Sequence, residues 1–443
     1  MPRYDNRNAL ILGAGRSGLA AARLLLERGG RVAVVDETWP GNTLPEFSTE
    51  GISCLTSDRD HLPDGAYDLV IISPSFALNH PWVQTAKRRG LAMISELELA
   101  ANYWQGEAIA VTGSKGKSSV IKCLADTLVL AGIPAVTAGN YGIPLSTRVL
   151  ECPDYGKGVI AVTEISSFQL EHTRTFSPIL AAILNIQADH LDRHETMEAY
   201  STLKHKIFQA QVAGKATAFL PKEISILGVP QGVPVETFGV KPWDTWRFHN
   251  GAILHGETTI PVEGVFNNKV LGPAAALIAA MLMHLNVAPE IIARGFAQFV
   301  PLPHRMQRLG TLNGVTLIDD SKATSLSATQ AALKITRNNV HLIAGGQLKE
   351  EDLDFLDLEL SSAVKRAYLI GEAAPRLFEA WEDLCDCEIC GKMETAVAHA
   401  LANAQAGDTL LLSPGCASFD QYSGMAKRGE HFKQCIEAHG AIV

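Results

Sequence analysis

Positive charge is in short supply in this chain. Its 443 residues carry 38 Lys and Arg against 47 Asp and Glu, a net charge of −9. No global nucleic-acid-binding face is expected, a reading that does not exclude a local cationic pocket. Long apolar runs are also lacking. The most hydrophobic window, VLGPAAALIAAMLMHLNV (270–287), is broken by Pro273, His284 and Asn286, so a buried core helix is expected there rather than a bilayer span. The opening MPRYDNRNALILG lacks the layout of a secretory signal, and a cytoplasmic protein without membrane insertion is expected. The eight cysteines form no disulfide framework. Cys385, Cys387 and Cys390 make CxCxxC with no second Cys or His pair at zinc spacing, which reads as incidental thiols on a surface turn. One glycine is missing too. VTGSKGKSSV (111–120) ends like a phosphate loop, but Val111 stands where GxxxxGK[ST] places its first glycine. That excludes the commonest NTPase type without excluding a bound nucleotide.

What is present reads as α/β, with a length that suits two or three domains. NALILGAGRSGLAAARLLLERGGRVAVVDET (8–38) gives a strand, the turn Gly13-Ala14-Gly15-Arg16-Ser17-Gly18, an amphipathic helix and a second strand ending at Asp36. This is the dinucleotide-type arrangement, with a helix start able to hold a phosphate. It closes near residue 96 after a further strand, DLVIISPS (68–75). A second block begins with EAIAVTGSKGKSSVIKCLADTLVLAG (107–132), a strand, loop and long helix, followed by the apolar strands GVIAVTEIS (158–166) and PILAAILNI (178–186). After LPHR (302–305) comes a third strand–helix series built on GVTLIDDS, VHLIAGG, RAYLIG and DTLLLSPG. The fold expected is three α/β domains: Rossmann-like over 1–96, a central P-loop ATPase type over 97–299, and Rossmann-like over 300–443.

Several loops carry chemistry. Lys117 is placed to reach β/γ phosphates, and the Ser118 hydroxyl to join a Mg2+ shell. Glu164 ends a strand of the same sheet, where a carboxylate can hold Mg2+. Asp189, His190, Asp192, Arg193 and His194 crowd the loop after the next strand, favouring metal or phosphate contact. In the third block IDDSKATS (318–325) follows a strand, and Asp320 and Ser321 are candidate helix caps, with Lys322 and Thr324 as anion binders. Lys349 in AGGQLKEED and the hydroxyls of SPGCASFDQY extend this to three strand-end loops suited to a small anion.

The order TGSKGKSS, AGNYG, EISSFQLE, ADHLDRH, LPHR, DDSKATS, GGQLK, SPGCASFDQ, spread over nearly the whole chain, resembles the Mur ligases of cell-wall precursor synthesis. The likeness is strongest to members that add glutamate to UDP-N-acetylmuramoyl-L-alanine. It implies an ATP-dependent ligase: the alanine carboxylate is phosphorylated to an acyl phosphate, and the glutamate amine then displaces phosphate. It implies that Gly113, Ser114, Lys115, Gly116, Lys117, Ser118 and Ser119 hold ATP, with Asn267, Arg305 and Asp320 on the nucleotide. Ser118 and Glu164 would bind one Mg2+. His190 and a carbamate on Lys204 would bind a second, Lys206 being the competing lysine. Asn140 and Gln169 resemble substrate contacts. Arg16, Ser17 and Asp36 would lie near the uridine diphosphate, with no NAD. Lys322, Thr324, Lys349 and Ser418 would hold the incoming glutamate. With no exposed apolar stripe evident, a monomer is expected.

The chain departs from the common pattern at several of these places. Lys115 and Ser119 stand for Asn and Thr in the phosphate loop, and Ser75 for Gly in the wall facing the uridine. Phe266 and Val270 replace the His and second Asn of GxHNxxN, which puts adenine contacts in question. Ser325 follows DSKAT where Asn is usual, and Phe419 and Met425 stand where Leu and Phe line the D-glutamate pocket. Two readings of the amino acid follow, D-glutamate as in the branch at large or L-glutamate as in a variant of it. A nicotinamide-dependent oxidoreductase would leave TGSKGKSS and EISSFQLE without a role. Lys117, Glu164, His190 and Lys204 speak against a non-catalytic nucleotide binder, and the uridine-type domain against a folate-chain glutamate ligase.

Overall fold

The computed structural model describes residues 4–39, 47–348 and 352–441. The chain divides into two compact units, Met1–Phe299 and Val300–Val443. The first holds two sheets. Strands β1 (Asn8–Leu12), β2 (Arg31–Val35), β3 (Ser53–Leu55), β4 (Leu69–Ile72) and β5 (Ala92–Ser95) form an all-parallel sheet in the order β3-β2-β1-β4-β5. ALIL and LVII are buried on both faces, as parallel strands covered by crossover helices must be. The order reverses beside β1, so the Gly-rich turn that follows it opens at the ligand crevice of the sheet.

The second sheet has nine strands: β6 (Ala108–Thr112), β7 (Ala135–Gly139), β8 (Ile160–Glu164), β9 (Leu180–Ile183), β10 (Thr217–Leu220), β11 (Val235–Gly239), β12 (Trp246–His249), β13 (Ala252–His255) and β14 (Thr258–Pro261). They run in the order β14-β13-β12-β11-β10-β9-β6-β8-β7. The phosphate-loop strand β6 lies in the middle, parallel to β8 and β9 on either side. Topology therefore brings the loops after β6, β8 and β9 to one edge. The apolar window is the helix Gly272–His284, buried along most of its length against the helix Lys117–Leu130 and strands β11 and β12. Among the described residues no helix is long and apolar enough to cross a membrane.

The second unit is a six-stranded sheet of β15 (Gln307–Leu312), β16 (Val315–Asp319), β17 (Val340–Gly345), β18 (Val364–Ile370), β19 (Asp386–Gly391) and β20 (Thr409–Leu412). Its order is β15-β16-β20-β17-β18-β19, parallel except for β15. Two expectations are corrected here. CxCxxC is not a turn: Cys387 and Cys390 lie on edge strand β19, with Cys385 Sγ 3.7 Å from Cys387 Sγ. Alternation along the strand puts Cys390 on the face opposite Cys387. Asp320 and Ser321 cap no helix either. The next helix, Leu326–Thr336, starts at Ser325, and the two residues are drawn inward by partners far away in sequence.

Candidate active site

The missing glycine has a structural answer. Val111 is a fully buried residue of β6, paired with Glu164 on β8 and Ala182 on β9. The strand simply runs further than in a longer loop, and the turn begins at Gly113, whose φ of +151° suits glycine. Gly116, at φ +82°, then caps the helix Lys117–Leu130. One residue overlooked in the sequence holds this short loop. Asn185 Oδ1 accepts the N–H groups of Ser114 (3.0 Å) and Lys115 (2.9 Å), and its Nδ2 donates to Lys115 O (3.0 Å). A polar residue at the end of the apolar run PILAAILNI was the signal.

Around the loop the predicted groups converge. Ser118 Oγ donates to Glu164 Oε2 at 2.6 Å, and Asn140 Nδ2 to Glu164 Oε1 at 2.7 Å. Lys117 Nζ curls over the loop onto Gly113 O (2.8 Å) and Ser114 O (3.1 Å). Lys115 pairs with Asp189 at 3.4 Å, and Ser119 is half-buried in the first helical turn. Lys204, 1% exposed, reaches the same carbonyl as Lys117, with Nζ 3.0 Å from Gly113 O, and lies over the Tyr200 ring. Burial, reinforced by the Lys117 charge, pushes its ammonium down to about 7. Tyr200 Oη is 3.1 Å from Ser114 Oγ. The competing Lys206 is less buried, and its ammonium is lowered chiefly by burial, with Glu171 opposing.

His190 takes a left-handed backbone (φ +55°) just after Asp189 and stands half-exposed, its ring 4.9 Å from Phe168. It lines a cleft of about 620 Å³ with Pro74, Ser75, Asn79, Phe168 and Arg193. Arg193 ties the first sheet to the second: it pairs with buried Glu171 (2.7 Å) and donates to Pro74 O (2.6 Å) and Phe76 O (2.8 Å). Gln169 is buried and spends its side-chain oxygen in a capping box with Ser166. In the first sheet Asp36 Oδ2 accepts Ala14 N–H at 2.6 Å, so the carboxylate closes the Gly-rich turn on itself. Arg16 is exposed and Ser17 half-buried at the start of the helix Arg16–Glu27. Asp36 and Ser75 border a neighbouring cleft of about 580 Å³. Phe266 is not a ligand wall: it is fully buried against Phe296 and Phe299, while Asn267 is exposed. Val270 N–H is held by Asn268 Oδ1 (3.0 Å), making that asparagine a helix-start residue.

In the second unit the loops after β16, β17 and β20 meet at the C-terminal edge. Gln347 and Ala417 exchange backbone hydrogen bonds of 2.8 and 2.9 Å. Ser418 is buried, Lys322 exposed, Thr324 and Arg305 half-buried, and Phe419 is 69% exposed. Lys349 lies outside the described residues. Asp320 is buried, accepting Met306 N–H and Ser413 Oγ–H at 3.0 Å each. Burial raises its carboxyl to about 7. The folded chain therefore keeps a proton that the unfolded chain gives up between pH 3.8 and 7, so this group's contribution to stability falls as pH rises through that window. Asp320→Asn is expected to remove that fall, up to about 4 kcal/mol. Urea midpoints at pH 5 and 7.5 check it, and parallel declines in both proteins would refute the assignment.

Family models match three stretches of this chain. They are a Mur ligase MurD-like N-terminal domain over 7–95, a Mur ligase middle domain over 111–250 and a Mur ligase glutamate ligase domain over 304–416. The UDP-N-acetylmuramoylalanine--D-glutamate ligase of Koribacter versatilis (strain Ellin345) is 34% identical, covering 97% of each chain. The enzyme of that name from Aquifex aeolicus (strain VF5) is 33% identical over 97% of this chain and 98% of its own. Among solved structures, a UDP-N-acetylmuramate-alanine ligase MurC from Thermotoga maritima aligns with a TM-score of 0.62 at 15% identity, covering 98% of this chain and 100% of its own. A MurF ligase from Thermotoga maritima in complex with ADP gives 0.59 at 17%, covering 98% and 95%. At such identities the structures speak for the fold alone. The full-length relatives carry more: with a third of all positions shared from end to end, and the phosphate loop, Glu164 and buried Lys204 drawn to one sheet edge, this chain belongs to the Mur ligase family.

Proposed function

We propose that this chain joins glutamate to UDP-N-acetylmuramoyl-L-alanine at the expense of ATP, through an acyl phosphate. The observation that carries the reading is the convergence of Lys117, Ser118, Glu164 and a deeply buried Lys204 on one phosphate loop. The relatives reported above, named for the D-glutamate reaction, supply the substrates. A carboxylate oxygen of the alanine attacks the γ-phosphorus and ADP departs. The glutamate amine then adds to the acyl carbon, loses a proton, and phosphate leaves as the amide forms. Two anions must meet in the first step, and the loop N–H groups at the helix start, with Lys117, offset their repulsion.

Ser118 and Glu164 would hold one Mg2+, their hydroxyl and carboxylate oxygens already 2.6 Å apart and of the hard type that ion takes. His190 and a carbamate on Lys204 would hold the second; both cations would spread the charge of the transferring phosphoryl group. Asn140 fixes the Glu164 carboxylate from the other side. Asn267, Arg305 and Asp320 belong with the nucleotide in this reading. Arg16, Ser17, Asp36 and Gln169 belong with the UDP substrate, and Lys322, Thr324, Lys349 and Ser418 with glutamate. We assign the enzyme to the cytoplasm as a monomer.

Phosphate release with ATP, Mg2+ and UDP-N-acetylmuramoyl-L-alanine, comparing D- and L-glutamate, tests the reading. Turnover with D-glutamate is expected from the relatives' names. Turnover with L-glutamate alone would shift the assignment to that enantiomer and point to Phe419, an aromatic largely in solvent beside these loops, with Met425 and Ser325. No turnover with either would refute the ligase reading.

A further inference from the structure

Arg428 has no part in the reaction outlined above, yet it is 1% exposed, in the first turn of the helix Met425–Ala438. Among the described residues no carboxylate pairs with it. Its donors all go to uncharged oxygens. Nε reaches Ser321 Oγ (3.0 Å), while Nη2 reaches Ser321 O (2.9 Å) and Cys416 O (3.1 Å). Nη1 reaches Cys416 O (3.1 Å), Gly345 O (3.4 Å) and Ala417 O (3.5 Å). Those oxygens belong to three different strand ends. Ser321 precedes Lys322 after β16, Gly345 ends β17, and Cys416 and Ala417 precede Ser418 after β20. The packing leaves little room for anything else. A Cβ on Gly346 would stand 2.3 Å from Ala417 O and 3.1 Å from Arg428 Nη1. Burial lowers the guanidinium only to about 10, so it is charged at neutral pH. Asp420 and Asp319 lie near enough to favour its charged form but form no ion pair with it, and the field of a buried cation is poorly screened by salt.

We propose that Arg428 is a positioning and specificity-determining residue for the amino-acid substrate. Its planar fork sets the spacing of the three loops, and its buried charge gives them a standing attraction for an amino acid with two carboxylates. This rests on the glutamate-ligase reading. A lysine keeps the charge but cannot reproduce the fork, and a methionine keeps neither.

The test uses the full chain with Arg428→Lys and Arg428→Met, measuring KM for glutamate, ATP and UDP-N-acetylmuramoyl-L-alanine. Acyl-phosphate formation without glutamate is trapped separately with hydroxylamine. Arg428→Met is expected to raise the glutamate KM by about 30-fold or more, the scale of a lost charged hydrogen-bond set, with Arg428→Lys in between. The other two KM values and the trapped acyl phosphate should stay within about 3-fold, a range that separates this loss from a general one. Should Arg428→Met fail to fold, the glutamate KM of Arg428→Lys decides. An unchanged glutamate KM in a folded variant, or equal losses in trapping and in glutamate addition, would overturn the proposal. A wild-type protein inert toward both enantiomers would overturn the ligase reading beneath it, which the active wild type in the other outcomes keeps distinct.

Discussion

Lys204→Ala is expected to lose ligation by about 10³-fold, several kcal/mol of transition-state stabilisation, and to regain part of it when short carboxylic acids are added. The argument starts from burial. The side chain is enclosed, its Nζ meets the Gly113 carbonyl and the Tyr200 ring at close range, and the Lys117 charge is nearby. An amine with its ammonium lowered to about 7 is largely neutral just above that pH. A neutral amine adds to CO2, giving a carbamate and releasing one proton; an ammonium cannot, having no lone pair. Such a modification would turn a cationic side chain into an oxygen donor beside the loop. A small carboxylate diffusing into the space vacated by Lys204→Ala would restore that oxygen, though not its tether. Activity of the wild type should fall as pH drops below about 7, where the amine is protonated and the carbamate reverts. Full activity in Lys204→Ala, or a variant that small acids leave unmoved, would remove the carbamate from the account.

Lys117→Ala should be as severe, about 10²–10³-fold in kcat, the scale of losing one group aimed at developing charge in a water-poor site. Lys117 Nζ now rests on the Gly113 and Ser114 carbonyls, so the loop itself holds the ammonium where a triphosphate would pass. A second effect accompanies the first. Lys117 helps to depress the Lys204 ammonium, and its removal should let that group rise and shift the acid limb of the pH profile upward. ATP binding by calorimetry and phosphate release at several pH values separate the two. A Lys117→Ala enzyme with kcat within about 3-fold of wild type would show that the loop does not act on the phosphates.

Much of the fold is legible in the sequence. ALIL, RVAVV, LVII and the third-block strands are unbroken apolar runs, each punctuated by glycine or a charged loop. That pattern arises because parallel strands are covered on both faces. The small strands β12, β13 and β14 and the edge strand DCEICG were not legible. Edge and meander strands face solvent on one side and carry no continuous apolar run. The positions of Lys117, Ser118 and Glu164 at the sheet edge were legible because each stands at or just after the end of an apolar strand. Asn185 and Arg428 were not, for their partners are mostly backbone atoms brought close only by strand order.

The sequence alone determined the α/β class, the strand-end placement of the chemistry and membership of a ligase family, since each follows from local periodicity and from motifs short enough to be contiguous. Tertiary structure decided the rest. It put β6 between β8 and β9, so that Ser118 and Glu164, 46 residues apart, share a hydrogen bond. It buried Phe266 in the core rather than against a nucleotide, turned Asp320 from a cap into an enclosed acid, and locked Arg428 beneath three loops. The physical reason is the same in each case: burial, and the dielectric and hydrogen-bond partners that come with it, is set by which strands become neighbours, and that is not written at any one position of the chain.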